Sequence, residues 1–273
     1  MSEICVIGAG TMGRGIAAAT LAAGLSTMLI DVDADALERA RDAIHRHFEK
    51  NDDEAFAVLE LSQDLERAVE GTAAVIEAVP ELLDLKQDIF RRLGRACPHE
   101  ALLATNTSTM SITEIASVCA NPARVVGLHF FNPVHRMQLV EVAGGQQTAP
   151  GSMARAVELA IQLGKEPIVV GDQPGFVANR LGLLLGSEAM RIVQEGIASA
   201  ADVDKAMKLG FGHPIGPLAL ADLVGLDARL NNLRSIYAST RREDYRPPRI
   251  LEELVADGRL GRKNGAGFYD YTI

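Results

Sequence analysis

The sequence GAGTMG near the start of the chain constrains the fold more than any other feature, because it fits the pattern G-x-G-x-x-G. It follows the apolar run ICVI, which is typical of a buried strand, and it opens TMGRGIAAATLAAG, which is typical of a helix. In this setting the first glycine permits a tight turn, the second lets a pyrophosphate approach the backbone, and the third lets the helix pack on the strand. The sequence therefore predicts a dinucleotide site. Its contacts are expected at Gly8, Gly10, Thr11, Met12 and Gly13.

A carboxylate at the end of the second apolar run indicates which dinucleotide binds. Asp31 closes the run STMLID, eighteen residues after Gly13. A carboxylate there accepts hydrogen bonds from a ribose 2′-hydroxyl and repels a 2′-phosphate. The alternative interpretation, a solvated acid at a strand end, explains neither the position of Asp31 nor the glycine loop. We therefore expect NAD, not NADP, as the cofactor.

Strand and helix patterns alternate along the first two thirds of the chain. The stretches predicted as strands are ICVIGAG, STMLIDVD, AAVIEAVP, LLATNTS, VVGLHFF, LVEVAGG and EPIVVG. This alternation predicts an α/β fold with a Rossmann-type, mostly parallel sheet. After GDQPGF the patterns are helical, and the run from Leu181 to Val193 is apolar nearly all round, so we expect that helix to be buried on most sides. We predict a dinucleotide-binding domain at residues 1–172 and an all-helical domain at residues 173–273.

Composition and charge exclude several classes of protein. The net charge of −9 argues against a nucleic-acid partner, and no stretch approaches the roughly 20 apolar residues that cross a bilayer. No signal peptide is expected before the strand in MSEICVIGAG. Cys5, Cys97 and Cys119 have no spacing typical of metal or redox sites. We therefore expect a cytoplasmic protein without a membrane partner or a metal.

His129 is a titratable residue inside an apolar strand. Taken alone, such a histidine is more often a hydrogen-bonded core residue than a catalyst. Here it lies near the end of a strand in a dinucleotide-binding sheet, where ligands bind, and Asn132-Pro133 turns the chain directly after it. Glu141 is then expected to return on the neighbouring strand and to hold one ring nitrogen, which leaves the other as a base. Proton abstraction from an alcohol, coupled to hydride transfer to nicotinamide, fits this pair.

Two further segments place polar residues where ligands are expected to bind. The segment TNTST places Asn106 and Ser108 at the end of another strand, although Thr109 or Ser111 could also cap the helix that follows. Asn179, in PGFVANR, begins the helical domain. An amide at that position either contacts substrate or only stabilises the hinge between the domains.

Several stretches together resemble the L-3-hydroxyacyl-CoA dehydrogenase family over nearly the whole chain: GAGTMG, IEAVPE, TNTST, GLHFFNPV, LVEV, PGFVANR and KNGAGFY. The resemblance implies reversible oxidation of a 3-hydroxyacyl thioester by NAD, and a homodimer formed by the helical domain. It places the catalytic pair on His129 and Glu141 and the substrate-contacting residues on Ser108 and Asn179. The family's cofactor contacts fall on Asp31, Glu81, Lys86 and Asn106.

One departure from the family concerns coenzyme A. Family members usually carry a helical hairpin after the second strand that clamps coenzyme A, and the segment between His45 and Leu65 is too short for it. Trimming of the clamp explains this, and so does a substrate held by an acyl carrier protein. The basic residues available to dock such a carrier, or simply to form a solvated helix face, are Arg39, Arg41, Arg46 and Lys50. A free hydroxy acid as substrate and a non-catalytic NAD-binding protein are further alternatives, and the complete catalytic set argues against the last.

Overall fold

The computed structural model describes residues 3–48 and 58–271. It divides into two compact units, Met1–Gln173 and Pro174–Ile273, and each has its own hydrophobic core. Among the described residues, no helix combines the length and the apolar character needed to cross a membrane.

The first unit is built on one eight-stranded sheet. Its strands are β1 (Ile4–Ile7), β2 (Thr27–Ile30), β3 (Leu59–Ser62), β4 (Ala74–Glu77), β5 (Leu102–Thr105), β6 (Val125–Phe130), β7 (Leu139–Gly144) and β8 (Glu166–Gly171). They lie in the order β3-β2-β1-β4-β5-β6-β7-β8. Only β6 and β7 pair antiparallel within this sheet, and the other pairs are parallel. The predicted Rossmann-type, mostly parallel sheet is confirmed.

The central strands are continuous apolar runs because both of their faces are covered. Every residue of β1, β4 and β5 is buried. The helices in the described part of this unit are α1 (Thr11–Ala22), α2 (Ala34–Phe48), α3 (Leu65–Ala68), α4 (Leu83–Ala96), α5 (Ile112–Ala116) and α6 (Pro150–Gln162). Helix α1 buries Ile16 and Leu21 in the same core as Val6 of β1, which fixes the glycine loop between strand and helix. Strand β3 was not predicted from the sequence. It lies at the edge of the sheet and is only partly buried.

In its described residues the second unit consists of helices and loops, as predicted, with β pairing limited to isolated bridges. Its helices are α7 (Ala178–Gln194), α8 (Ala200–Gly210), α9 (Pro217–Val224), α10 (Leu226–Thr240) and α11 (Arg249–Ala256). Leu183 of α7, Leu218 of α9, and Leu230 and Leu233 of α10 lie in one apolar core. From Leu181 to Val193 the helix is buried on most sides, as expected, apart from one exposed stripe that contains Leu181, which is 66% exposed, and Leu185. The apolar residues of α7 divide between this core and an open face.

Two buried carboxylates hold the loops of the second unit. Asp204 of α8 accepts hydrogen bonds from the backbone N–H groups of Leu218 (2.8 Å) and Ala219 (2.9 Å), so it caps the start of α9. Asp222 of α9 accepts from the N–H groups of Phe268 and Tyr269, both at 3.0 Å. The C-terminal loop is therefore held by its backbone as well as by its aromatic side chains.

Candidate active site

The glycine loop between β1 and α1 is tight at both ends and open in the middle. Gly8 has φ of +102°, and a Cβ atom on it would lie 2.8 Å from the carbonyl oxygen of Ala78. A Cβ on Gly13 would lie 1.7 Å from the carbonyl oxygen of Gly8. A Cβ on Gly10, by contrast, would meet nothing within 4 Å. Glycine is thus required at the ends by the fold, and the exposed middle of the loop can receive a pyrophosphate at the start of α1.

The two other residues of the motif, Thr11 and Met12, occupy the first turn of α1. Thr11 is exposed, and Met12 packs partly buried against the core of the first unit. The first N–H groups of a helix have no partner within the helix, so this turn can stabilise an anion bound at the loop.

Asp31 connects the end of β2 to the glycine loop. Its Oδ2 accepts a hydrogen bond from the N–H group of Ala9 (2.7 Å), and its Oδ1 accepts from the N–H group of Asp33 (3.0 Å). The side chain is half-buried, so it retains an exposed edge. Its position beside the loop fits a carboxylate that accepts hydrogen bonds from a ribose, and together with the open loop it fits NAD.

An ion pair lies under the ends of β4 and β5. Glu77, the last residue of β4, is fully buried, and its Oε1 accepts from Nζ of Lys86 on α4 at 2.7 Å. Its Oε2 accepts from the hydroxyl of Thr105 at 2.7 Å. Lys86 is itself 1% exposed, and its Nζ also contacts Oε2 of Glu81 at 3.3 Å. Nζ of Lys86 thus lies between two carboxylates and the carbonyl oxygen of Val79, and of the two carboxylates Glu81 is the exposed one.

Glu81 orders the segment that carries Ser108. Its Oε1 accepts from the backbone N–H group of Ser108 (2.7 Å), from the Ser108 hydroxyl (3.2 Å) and from the Thr107 hydroxyl (2.9 Å). The segment continues into α5, where Ser111, not Thr109, is the N-cap and accepts from the N–H group of Glu114. Glu81 and Ser108 are therefore together in the structure.

Asn106 links the ends of two neighbouring strands. It follows β5 directly, and its Oδ1 accepts from the N–H group of Phe130, the last residue of β6, at 2.8 Å. Since β5 and β6 are parallel, Asn106 and Ser108 lie at the same carboxyl edge of the sheet as His129. Ligands of open α/β sheets bind at this edge.

His129 and Glu141 lie directly opposite each other in the antiparallel pair of β6 and β7. Opposed residues of such a pair share one face of the sheet, so their side chains meet. Nδ1 of His129 lies 2.8 Å from Oε2 of Glu141. His129 is 7% exposed and Glu141 is fully buried, so water does not compete for the bond. The predicted contact between the carboxylate and one ring nitrogen is present.

The remaining predicted site residue, Asn179, belongs to the second unit. It is half-buried in the first turn of α7. Sequence reasoning missed three residues of the first unit that hold the site together: Glu77, Thr105 and Asp172. Asp172 accepts four hydrogen bonds, from the backbone N–H groups and hydroxyls of residues 111–113, and so fixes the start of α5. The signal for Glu77 was a single charge at the end of an otherwise apolar strand.

Comparisons with known proteins agree with this geometry. Residues 3–173 match the family model described as 3-hydroxyacyl-CoA dehydrogenase, NAD binding domain, and residues 175–271 match the C-terminal domain of the same family. The chain is 42% identical to a probable 3-hydroxybutyryl-CoA dehydrogenase of Bacillus subtilis, over 99% of this chain and 98% of that one. It is 40% identical to the 3-hydroxyadipyl-CoA dehydrogenase of Escherichia coli, over 99% of this chain and 59% of that protein.

A solved structure gives the same result for the whole fold. The (S)-3-hydroxybutyryl-CoA dehydrogenase of Ralstonia eutropha matches with a TM-score of 0.93 at 38% identity, and the match covers 100% of both chains. The NAD binding domain, the glycine loop and Asp31 together identify NAD as the cofactor. The chain belongs to the 3-hydroxyacyl-CoA dehydrogenase family.

Proposed function

We propose that this protein reversibly oxidises the C3 hydroxyl group of a 3-hydroxyacyl-CoA thioester to the 3-keto group, with NAD as the hydride acceptor. The observation that carries the proposal is the buried His129–Glu141 pair at the same edge of the sheet as the glycine loop. The names of the relatives from Bacillus subtilis and Ralstonia eutropha support the CoA-linked substrate.

In the proposed mechanism His129 moves the proton. Glu141 accepts a hydrogen bond from Nδ1–H, which leaves Nε2 unprotonated and able to accept the proton of the C3 hydroxyl group. The imidazolium that forms is stabilised by the carboxylate 2.8 Å away. NAD, when bound, supplies the carbon that accepts the hydride from C3. In the reverse direction the same imidazolium returns its proton to the developing alkoxide.

Ser108 and Asn179 are proposed to orient the acyl group. A hydroxyl and an amide can each hydrogen-bond the C3 oxygen or the thioester carbonyl. Such a bond from Ser108, which lies at the same edge of the sheet as His129, would hold C3 near Nε2 of the histidine. The bonds from Glu81 to both the backbone and the hydroxyl of Ser108 support this role, because they restrict the serine before substrate binds. Such preorganisation lowers the entropy that the reaction must lose.

The proposed NAD contacts are of two kinds. Direct contacts come from the loop residues Gly8 to Gly13, from Asp31 and from the amide of Asn106. Glu81 is 38% exposed and can contact the cofactor itself, whereas Lys86 acts through Glu81 because its Nζ is enclosed. Lys86 is therefore proposed as a positioning residue.

Coenzyme A is favoured over an acyl carrier protein as the carrier. Two of the basic residues considered for carrier docking already pair with acids on their own helix or next to it, Arg39 with Asp33 and Arg41 with Glu38. Such exposed ion pairs are typical of a solvated helix face, which is the alternative to a carrier-docking surface. Lys50 and the centre of the shortened clamp segment lie outside the described residues.

A homodimer is proposed through the second unit, together with a cytoplasmic location. Leu181 and Leu185 lie one turn apart on α7 and are 66% and 37% exposed, and Leu209 and Phe211 are each 76% exposed. Large apolar side chains that are exposed on α7 and at the end of α8 are typical of a surface that a second copy covers. The three cysteines are reduced and buried, which supports a reducing compartment.

The test is a panel of one acyl group on different carriers. Purified protein is given NAD and 3-hydroxybutyrate as its CoA thioester, pantetheine thioester, carrier-protein thioester and free acid, and NADH is followed by absorbance. We expect turnover of the CoA thioester and none of the free acid. Turnover of the free acid alone would refute the proposal. A large preference for the carrier-protein thioester would show that the substrate is linked to the carrier protein and not to CoA.

A further inference from the structure

Arg229 of α10 is a buried arginine with few partners. It is 6% exposed, and its Nη1 donates to the carbonyl oxygen of Gly182 on α7 at 3.2 Å. Within residues 3–48 and 58–271, its Nε has no hydrogen-bond partner, and no carboxylate pairs with it. Burial lowers the pKa of Arg229 to about 10, so the guanidinium is still charged at neutral pH. A buried charge without a counter-charge is unfavourable and needs an explanation.

A second buried arginine shows how this fold otherwise accommodates a guanidinium. Arg124 is 5% exposed, and its two Nη groups donate to the carbonyl oxygens of Pro98, His99, Ala101 and Gly94. Its Nε is also without a partner in the described part of the chain, so the two arginines differ in their Nη groups. The Nη groups of Arg124 donate to four carbonyl oxygens, whereas those of Arg229 donate to one. The guanidinium of Arg229 therefore has N–H donors that no acceptor in the described part of the chain uses.

Glycines on α7 make the space for Arg229. A Cβ atom on Gly186 would lie 2.7 Å from Nη1 of Arg229, so a larger residue there would displace the guanidinium. Gly182, which provides the carbonyl, lies one turn earlier. Asn179 is three residues before Gly182 and seven before Gly186, so the three share one face of α7. At 1.5 Å of rise per residue, Asn179 lies about 4.5 Å along the helix axis from Gly182 and about 10.5 Å from Gly186.

We propose that Arg229 binds the terminal carboxylate of a dicarboxylic 3-hydroxyacyl thioester. The proposal rests on the proposed function, in which Asn179 contacts the acyl group near C3. An acyl chain that extends from Asn179 along this face of α7 reaches the guanidinium, which lies beside Gly186, within about two helical turns. A carboxylate matches the fork of N–H donors on arginine and supplies the missing counter-charge.

The experiment compares two acyl groups of the same length. We measure kcat/KM with NAD for a six-carbon 3-hydroxyacyl-CoA that ends in a carboxylate and for 3-hydroxyhexanoyl-CoA, which ends in a methyl group. For the wild type we expect a preference of about 10- to 100-fold for the dicarboxylic substrate, the factor that a hydrogen bond to a charged group provides. In Arg229→Met the ratio should fall to about one, and in Arg229→Lys it should be intermediate.

Arg234→Met is the matched control. Arg234 lies on the same helix and is exposed, with Glu252 as its partner at 2.8 Å, so its removal should leave the ratio unchanged. A wild type that oxidises both substrates without preference would overturn the role of Arg229 and leave the proposed function standing, and this result needs no variant to fold. An equal loss on both substrates in Arg229→Met would also overturn it and assign the residue a structural role. Failure of the wild type with both substrates would instead refute the proposed function.

Discussion

Replacing Glu141 with glutamine removes one charge from the interior of the sheet and keeps the shape of the side chain. Glu141 is fully buried, and its Oε2 lies 2.8 Å from Nδ1 of His129. The amide can still accept from Nδ1–H, but it no longer stabilises the imidazolium that forms during turnover. It can also turn its NH2 group toward Nδ1, which places the ring proton on Nε2 and removes the base.

We expect kcat of Glu141→Gln to fall by about 10² to 10⁴, the range in which a positioned acid–base residue contributes. This corresponds to about 2.7 to 5.4 kcal/mol of transition-state stabilisation. The assay is NADH formation from 3-hydroxybutyryl-CoA, with NAD binding measured separately by calorimetry, where the variant should match the wild type. Glu166→Gln, an exposed acid on the adjacent strand, is the control. A kcat within threefold of the wild type, with the fold intact, would show that Glu141 does not act through His129.

Three other variants test the cofactor, the ion pair and the dimer. Asp31→Ser with Val32→Arg should shift the preference from NAD toward NADP, since Val32 is 86% exposed and can present a cation to a 2′-phosphate; an unchanged ratio of the two kcat/KM values would contradict this. Lys86→Met should lower the free energy of unfolding in urea by about 3 to 5 kcal/mol, because it leaves the buried Glu77 unpaired, and Glu77→Gln in the same background should restore part of it. Leu181→Asp should halve the mass measured by light scattering, and a wild type that is already monomeric at micromolar concentration would refute the dimer.

Features that depend on local patterns could be predicted from the sequence. The buried strands β1, β4 and β5 are unbroken apolar runs, and the glycine loop follows the first of them directly. The contact of His129 with Glu141 was predictable because a turn joins two apolar strands of similar length. Strand β3 was missed because its residues Leu59–Ser62 alternate in polarity over only four positions at a half-exposed edge. So short an edge strand has no distinctive pattern.

Features that depend on distant partners could not be predicted. Glu77 accepts a hydrogen bond from Thr105, which is 28 residues further along the chain. Asp172 accepts hydrogen bonds from residues that precede it in the chain by 59 to 61 positions. The sequence shows that a residue is acidic, but it does not show whether the carboxylate is solvated or accepts hydrogen bonds from backbone N–H groups. The exposed stripe of α7 could not be located from the sequence for a related reason. The sequence reports that Leu181 is apolar, but not whether its own chain or another molecule covers it.

The buried Glu77–Lys86 pair is best explained by what it positions, because an ion pair is a weak source of stability. Two apolar residues of similar volume would fill the same space at no greater free energy. What they could not do is hold Glu81, which Nζ of Lys86 contacts at 3.3 Å. Glu81 in turn accepts from both the backbone and the hydroxyl of Ser108. The buried Lys86 therefore positions Glu81, and Glu81 positions Ser108, the serine proposed to orient the substrate. This accounts for a fully buried lysine at the edge where ligands bind.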